Sequence, residues 1–327
     1  MSADDLANVA LLTGLDLHLA DAGSAARTAF PLPEGNGLDA GLRRTLLQQE
    51  RAIGLRYSGQ EVRTWPYTVV AITCFALWIS FWPLALARIL PLWLGCALTS
   101  LFVAGGYVVA HEAMHSNLGR PGTPQRFWNE LTGQIATLPL ILPFSMVKEM
   151  HLLHHHHCNN PELDPDSIHG APNVVMAMVK SWLNRQPGAG GTAARWRRHV
   201  GELGTARAKR AVVDSMIVQI VVMSFFFAMA WSGHAILVAM LWWLPRHLGL
   251  TYIHAVLSWP THHPHNREGR YENTRIIRHP LGEWLSMGID YHLIHHLYPH
   301  IPVHATRSAY RDMKPLLQAR GVDCSAH

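Results

Sequence analysis

The sequence predicts an all-α integral membrane protein, with four transmembrane helices in two hairpins and a cytoplasmic histidine-rich helical cap. Three observations carry that expectation. Of its 327 residues 49% are hydrophobic and 15% are charged, with 12 tryptophans, a composition that suits a chain partly dissolved in lipid. Arginines flank the apolar stretches on the sides that the positive-inside rule assigns to the cytoplasm. Three histidine clusters recur at helical spacing near the ends of apolar stretches.

Residues 1–60 read as a soluble lead-in, with a loop over Pro31–Gly37 and a helix from Leu38 to about Gly54. Residues 61–327 read as the membrane domain. Arg43, Arg44, Arg51, Arg56 and Arg63 precede the first apolar run and place the N-terminal region in the cytoplasm. The first five residues are acidic where a secretory signal is basic, so insertion is expected to rely on internal spans.

Two apolar runs follow, about Trp65–Trp82 and Leu84–Ala110, the second with Arg88 as its only charge. Each is long enough to cross a hydrocarbon layer of roughly 30 Å. Together they make the first hairpin, which leaves His111 at the membrane boundary or on a cytoplasmic extension. The stretch from about Phe127 to Met146 is apolar but broken by Pro139 and Pro143, and a full crossing there would separate the first two histidine clusters. It therefore reads as re-entrant or interfacial. A polar region follows, with Asn160–Asp166, the small-residue loop Pro187–Gly191 and the basic residues Arg195, Arg197, Arg198, Lys209 and Arg210. The second hairpin is Ala211 to about Trp231 and Ala235 to about Leu257, kinked at Pro245. Arg246 and His247 within it need a cavity or a partner, because an ionisable group in lipid is costly. All three histidine clusters then fall on the cytoplasmic side.

Those clusters are His111/His115, His151/His154/His155 and His292/His295/His296. On a helix, residues at i, i+3 and i+4 stand on one face, so each set aims its imidazoles at a common centre. One such pair alone is more often an ordinary surface or core feature; three matching sets are not. A mononuclear zinc site needs about four donors. Eight clustered histidines are enough for two ions, and a paired site with mainly nitrogen ligands fits iron that activates dioxygen. The formal charge of +5 comes without a basic stripe or nucleic-acid motif, which argues against a nucleic-acid partner and for a membrane surface. Cys74, Cys96, Cys158 and Cys324 have no paired spacing, and no disulfide framework is implied.

Two other classes share parts of the pattern. His111-Glu112-Ala113-Met114-His115 satisfies HExxH, the zinc protease motif in which glutamate is the general base. That reading leaves the other two clusters unexplained, and Leu163-Asp164-Pro165 is not the LDG that intramembrane zinc proteases usually carry. A metal transporter would hold its ligands near the midplane rather than at the ends of spans.

The order HxxxH, HxxHH, HxxHH with the surrounding spans, from about residue 65 to 310, resembles the membrane fatty acid desaturase and hydroxylase superfamily, which includes carotenoid hydroxylases and ketolases. The resemblance implies a non-haem di-iron centre, dioxygen as co-substrate, a lipid substrate and a separate electron donor. It implies a catalytic domain over residues 61–327 that desaturates a fatty acyl chain, or alternatively hydroxylates or ketolates a carotenoid or other lipid. Members often carry a further histidine ahead of the last box; Trp259-Pro260-Thr261-His262-His263-Pro264 resembles that segment, and His262 is chosen over His263 and His265. His254, Ser258 and His262 at i, i+4 and i+8 would form one helical face leading from the membrane to the metals. Glu112, Asp164, Asp166 and His254 are candidates to hydrogen-bond ligand imidazoles, orienting them and raising their basicity, with capping or solvation as the plainer role. His156 and His157 point away from the main face of the second box.

No haem-binding HPGG is present, since His279-Pro280-Leu281-Gly282 only approaches it, and there is no GxGxxG nucleotide site. Electrons are therefore expected from a ferredoxin, rubredoxin or cytochrome partner docking on the basic cytoplasmic face.

Overall fold

The computed structural model describes residues 39–58, 63–186, 190–278 and 283–326. The loop over Pro31–Gly37, the first three residues of the Pro187–Gly191 stretch and the His279–Gly282 segment lie outside them. The described residues are helical and hold no strand: α1 (Ala40–Tyr57), α2 (Trp65–Leu86), α3 (Leu92–Met114), α4 (Arg126–Thr137), α5 (Phe144–His157), α6 (Val174–Asn184), α7 (Thr192–Glu202), α8 (Ala206–Trp231), α9 (Ala235–His262), α10 (Glu283–Ser286), α11 (His292–Leu297) and α12 (Val303–Ala319).

Four of these, α2, α3, α8 and α9, are long and apolar enough to cross a membrane. Their outer faces are not hidden by protein: only 6% of the apolar window of α8 and 17% of that of α2 are buried. Apolar surface on that scale needs a lipid solvent. Pro66 sits in the first turn of α2, where its missing N–H costs nothing. Arg88 does not interrupt a span as its place in the sequence suggests. It occupies the turn between α2 and α3 with φ 58°, and α3 starts only after Pro91.

The stretch with two prolines is two helical segments, Arg126–Leu140 and Phe144–His157, bent by 96° at the break. Ile141 takes a left-handed φ of 58°, Pro143 follows it, and the Gln134 Oε1 accepts from the Phe144 N–H at 3.0 Å to start α5. A Cβ at Gly133 would lie 2.4 Å from the Phe144 ring, so glycine there lets the two segments close on each other. Each segment is too short to cross alone, at about 22 Å.

Helix α9 is not α-helical throughout. Ala239–Trp243 and Ile253–Ser258 form π-helical turns. The first precedes Pro245, which lacks the N–H that an α-helix would offer to the Leu241 carbonyl. The Trp78 indole donates to that carbonyl instead, at 2.9 Å. The second π turn carries His254, so the i, i+4, i+8 spacing expected for His254, Ser258 and His262 does not describe this segment.

The described residues divide into two compact units, one within 64–154 and 168–259, the other within 39–63, 155–167 and 260–326. The first contains the candidate spans, α9 as far as Trp259. Ala110, Ala113, Met114, Phe144 and Val147 form one of its apolar cores, and Trp78, Val222 and Trp242 another. In the second unit Leu293, Ile294 and Leu297 pack with Tyr298, Ile301, Met313 and Leu317, so that one face of α11 is sealed in the core and the other carries the histidines. The chain passes from one unit to the other within α5, between His154 and His155, and again within α9, between Trp259 and Pro260.

Candidate metal centre

The spanning unit holds four of the cluster histidines. His111 is in the last turn of α3 and His115 is its C-cap. The Nε2 atoms of His115 and His151 are 2.7 Å apart, and the His151 ring lies 4.6 Å from that of His111. One ring nitrogen of each of these three residues lies within 4.8 Å of the others. His154, one turn along α5, has its ring 6.2 Å from that of His151 and is buried.

Local polar contacts fix the chain after His115. Ser116 has φ 58°, which reverses the backbone. The fully buried Asn129 donates to the Ala113 carbonyl at 3.0 Å and accepts from the Leu118 N–H at 3.3 Å. Lys148 Nζ reaches both Ser116 Oγ, 3.2 Å, and Glu130, 3.3 Å, which ties α5 to the turn after the first cluster. Glu112 is fully buried, with Oε1 3.9 Å from His111 Nδ1 and Oε2 accepting from Asn117 Nδ2 at 3.0 Å. That places the carboxylate beside an imidazole while a neighbour holds it in orientation.

The second unit holds the other four, together with His262. His295 and His155 bring their Nε2 atoms to 2.9 Å, and the rings of His155 and His296 stack at 4.1 Å. The Nε2 of His292 is central, 3.0 Å from that of His262 and 3.1 Å from that of His296. Of the three histidines near the cis-Pro264 segment, His262 is the one whose ring nitrogen joins this group; His265 Nδ1 instead faces the Glu272 carbonyl at 2.8 Å. His262 Nδ1 lies 3.6 Å from the Cys158 Sγ, which also contacts the Asn273 carbonyl at 3.7 Å. Burial pushes the Cys158 thiol well above its usual range. Sequence reasoning had no place for this cysteine; its distance in sequence from residue 262 hides the contact.

The remaining candidates take different positions. The Asp164 carboxylate accepts from the N–H groups of Asn159, 2.9 Å, and Asp166, 2.8 Å, and thereby folds the loop that follows α5. Asn159 in turn donates to the Asn273 carbonyl at 2.7 Å. Asp166 sits in the next turn of that loop. His254 is buried with its ring 4.7 Å from that of His169 and belongs to neither imidazole group. His156 is exposed, its ring set against that of His157 at 4.5 Å.

A further group went unread in the sequence. Glu50 of α1 is fully buried and accepts from Tyr298, 2.8 Å, and Tyr271, 2.9 Å, with Arg320 at 3.2 Å and Arg270 at 3.5 Å. Arg270 also donates to the Leu297 carbonyl at 3.3 Å, which caps the C-terminal end of the helix of the third cluster. The available signal was Gly54, four residues after Glu50, where a Cβ would lie 2.6 Å from the Tyr298 ring.

Apolar helices of spanning length, with histidine side chains clustered closely enough to hold a metal ion, define the class as a helical membrane protein rich in buried imidazole. The chain belongs to the fatty acid desaturase family, whose model matches residues 87–326. It is thereby a member of the membrane desaturase and hydroxylase superfamily, a superfamily of oxidoreductases. It is 36% identical to the sn-1 oleoyl-lipid 12-desaturase of Synechocystis over 97 residues, 30% of this chain and 25% of that protein. It is 21% identical to the chloroplastic omega-6 fatty acid desaturase of Brassica napus over 280 residues, 78% of this chain and 60% of that one. It is 27% identical to the beta-carotene ketolase of a Paracoccus species over 206 residues, 61% of this chain and 70% of that one. The match to the Synechocystis relative thus spans about a quarter of that protein's length.

Proposed function

We propose that this chain is an oxygen-dependent di-iron lipid desaturase that introduces a double bond into a fatty acyl chain. The observation that carries the reading is the meeting of His262, His292 and His296 through Nε2 atoms 3.0 and 3.1 Å apart, in a chain of this family. The donor set suits iron: neutral imidazole nitrogens, largely buried, with close nitrogen pairs that only a shared proton or a cation can reconcile. His111, His115, His151 and His154 of one unit and His155, His262, His292, His295 and His296 of the other are the proposed ligands of two iron ions. Iron so held supplies, with dioxygen and electrons from a ferredoxin, rubredoxin or cytochrome, the oxidising power to take hydrogen from an unactivated C–H bond.

The chain's own residues prepare the site. Glu112, held by Asn117, orients His111 and favours its metal-binding tautomer. The sealed apolar face of α11 keeps His292, His295 and His296 from turning away. The four candidate spans cross as two hairpins and bring lipid substrate laterally from the bilayer to the cytoplasmic ends that carry the histidines. Residues 61–327 form the catalytic domain and residues 1–60 its soluble lead-in.

Carotenoid hydroxylation or ketolation is the second reading, favoured by the match that covers 70% of the Paracoccus ketolase. Metal content and product mass of the purified protein decide between them, with an electron donor, oxygen and either acyl lipid or β-carotene supplied. Two irons per chain and loss of two hydrogens from the acyl chain support desaturation. Gain of oxygen on either substrate supports the second reading. A single zinc without an oxygen-dependent product overturns both.

A further inference from the structure

Helix α6 departs from its surroundings. In an otherwise polar region, its 11 residues expose Val174, Val175, Met176, Met178, Val179 and Leu183, with Val175 63% and Leu183 60% accessible. Large apolar side chains at that density do not face water on a folded protein without a purpose. The other face is packed on α9. Ala177 is fully buried, and the Trp182 ring meets those of Trp243 and His247 at 6.1 and 4.7 Å. Arg185, just past the helix end, donates to the His247 carbonyl at 3.3 Å and the Thr251 hydroxyl at 2.6 Å. Ahead of the helix start, Trp259 donates to the Ala171 carbonyl at 2.9 Å. Helix α6 therefore runs lengthwise and antiparallel along the fourth candidate span, from the level of Trp259 to that of His247.

We propose that α6 is a lipid-immersed half-helix, which enters the bilayer beside α9 without crossing it and turns its apolar face to the acyl chains. Its length, about 16 Å, is about half of a hydrocarbon layer. Its outer face has the chemistry of the outer face of α8, where Ile217, Ile220 and Val221 are similarly exposed on a candidate span. Its polar groups are disposed as lipid requires. Lys180 reaches back ten residues to the Gly170 carbonyl, towards the end at which the helix enters, as a snorkelling lysine does. The Arg185 guanidinium is turned onto protein acceptors, not outward. The Asn173 side chain caps the first turn by accepting from the Met176 N–H at 2.9 Å. Such a segment would make the stretch between the second and third histidine boxes part of the membrane-embedded body.

Nitroxide collision measurements on the full chain in phosphatidylcholine–phosphatidylglycerol vesicles test this without reference to turnover. Cysteine is introduced singly at Val175, Val179 and Leu183, with the unsubstituted chain and its four native cysteines labelled in parallel for subtraction. Ile220 on α8 serves as the lipid reference and the exposed Arg311 as the aqueous one. The expected result is high access to oxygen and low access to a water-soluble nickel chelate, with the ratio rising from Val175 to Leu183 towards that of Ile220. Nickel access like that of Arg311 at Val179 and Leu183 overturns the proposal, and so does low access to both reagents, which would mean that protein covers the face.

Discussion

Glu50 accepts a hydrogen bond from the Tyr298 hydroxyl at 2.8 Å, across 248 positions of sequence, and Tyr298 directly follows the helix of His292, His295 and His296. A carboxylate in a stretch that reads as a soluble lead-in is thus tied to the third histidine cluster. Two guanidiniums balance its charge, and one of them, Arg270, also holds the last carbonyl of that helix.

Glu50→Gln leaves Arg270 and Arg320 buried beside a neutral amide. Removing one partner of a buried ion pair costs about 3–5 kcal/mol, whereas Tyr298→Phe, which removes one hydrogen bond to a charged acceptor, costs about 1–3 kcal/mol. Thermal unfolding of the full chain in detergent should show both midpoints lowered, that of Glu50→Gln by more. An unchanged midpoint for Glu50→Gln would contradict the network.

The same burial, next to the Glu50 carboxylate, pushes the Tyr271 phenol up from about 10 to about 12. A folded-state value above the unfolded one stabilises the fold fully below pH 10 and loses that contribution as pH rises through about 12. Alkaline titration of the tyrosinate absorbance should show one phenol fewer near pH 12 in Tyr271→Phe than in the native chain. The native unfolding midpoint should keep this tyrosine's contribution until pH passes about 10.

His292 has two imidazole nitrogens within 3.1 Å of its own Nε2, whereas His156 is exposed. Iron content after reconstitution should fall sharply in His292→Ala and stay near native in His156→Ala. Equal losses in the two would place the metal elsewhere.

A Cβ on Gly249 of α9 would lie 2.3 Å from Val103 Cγ1 of α3 and 3.3 Å from the Ser100 carbonyl. Since the backbone oxygen cannot yield, Gly249→Ala should force the two candidate spans apart and lower stability by about 1–3 kcal/mol. Its thermal midpoint in detergent reports this, and Val103→Ala in the same chain should recover only part of the loss, because the Val103 Cβ itself stands 2.7 Å away.

Local pattern was enough to find the four apolar helices, the break at Pro139 and Pro143 and the three histidine clusters, because run length, proline and i, i+3, i+4 spacing are properties of neighbouring residues. The choice of His262 came from resemblance, and its nearness to His292 appears only once two segments 30 positions apart are folded together. Tertiary structure alone decided what depends on distant chain: the contact of Cys158 with His262, the Glu50 network behind α11 and the packing of α6 along α9. It also decided the π turns of α9, where Pro245 leaves a carbonyl that the Trp78 indole, 163 positions away, satisfies. A buried polar group must find its partner wherever the fold brings one, and no periodicity in the sequence says where that is.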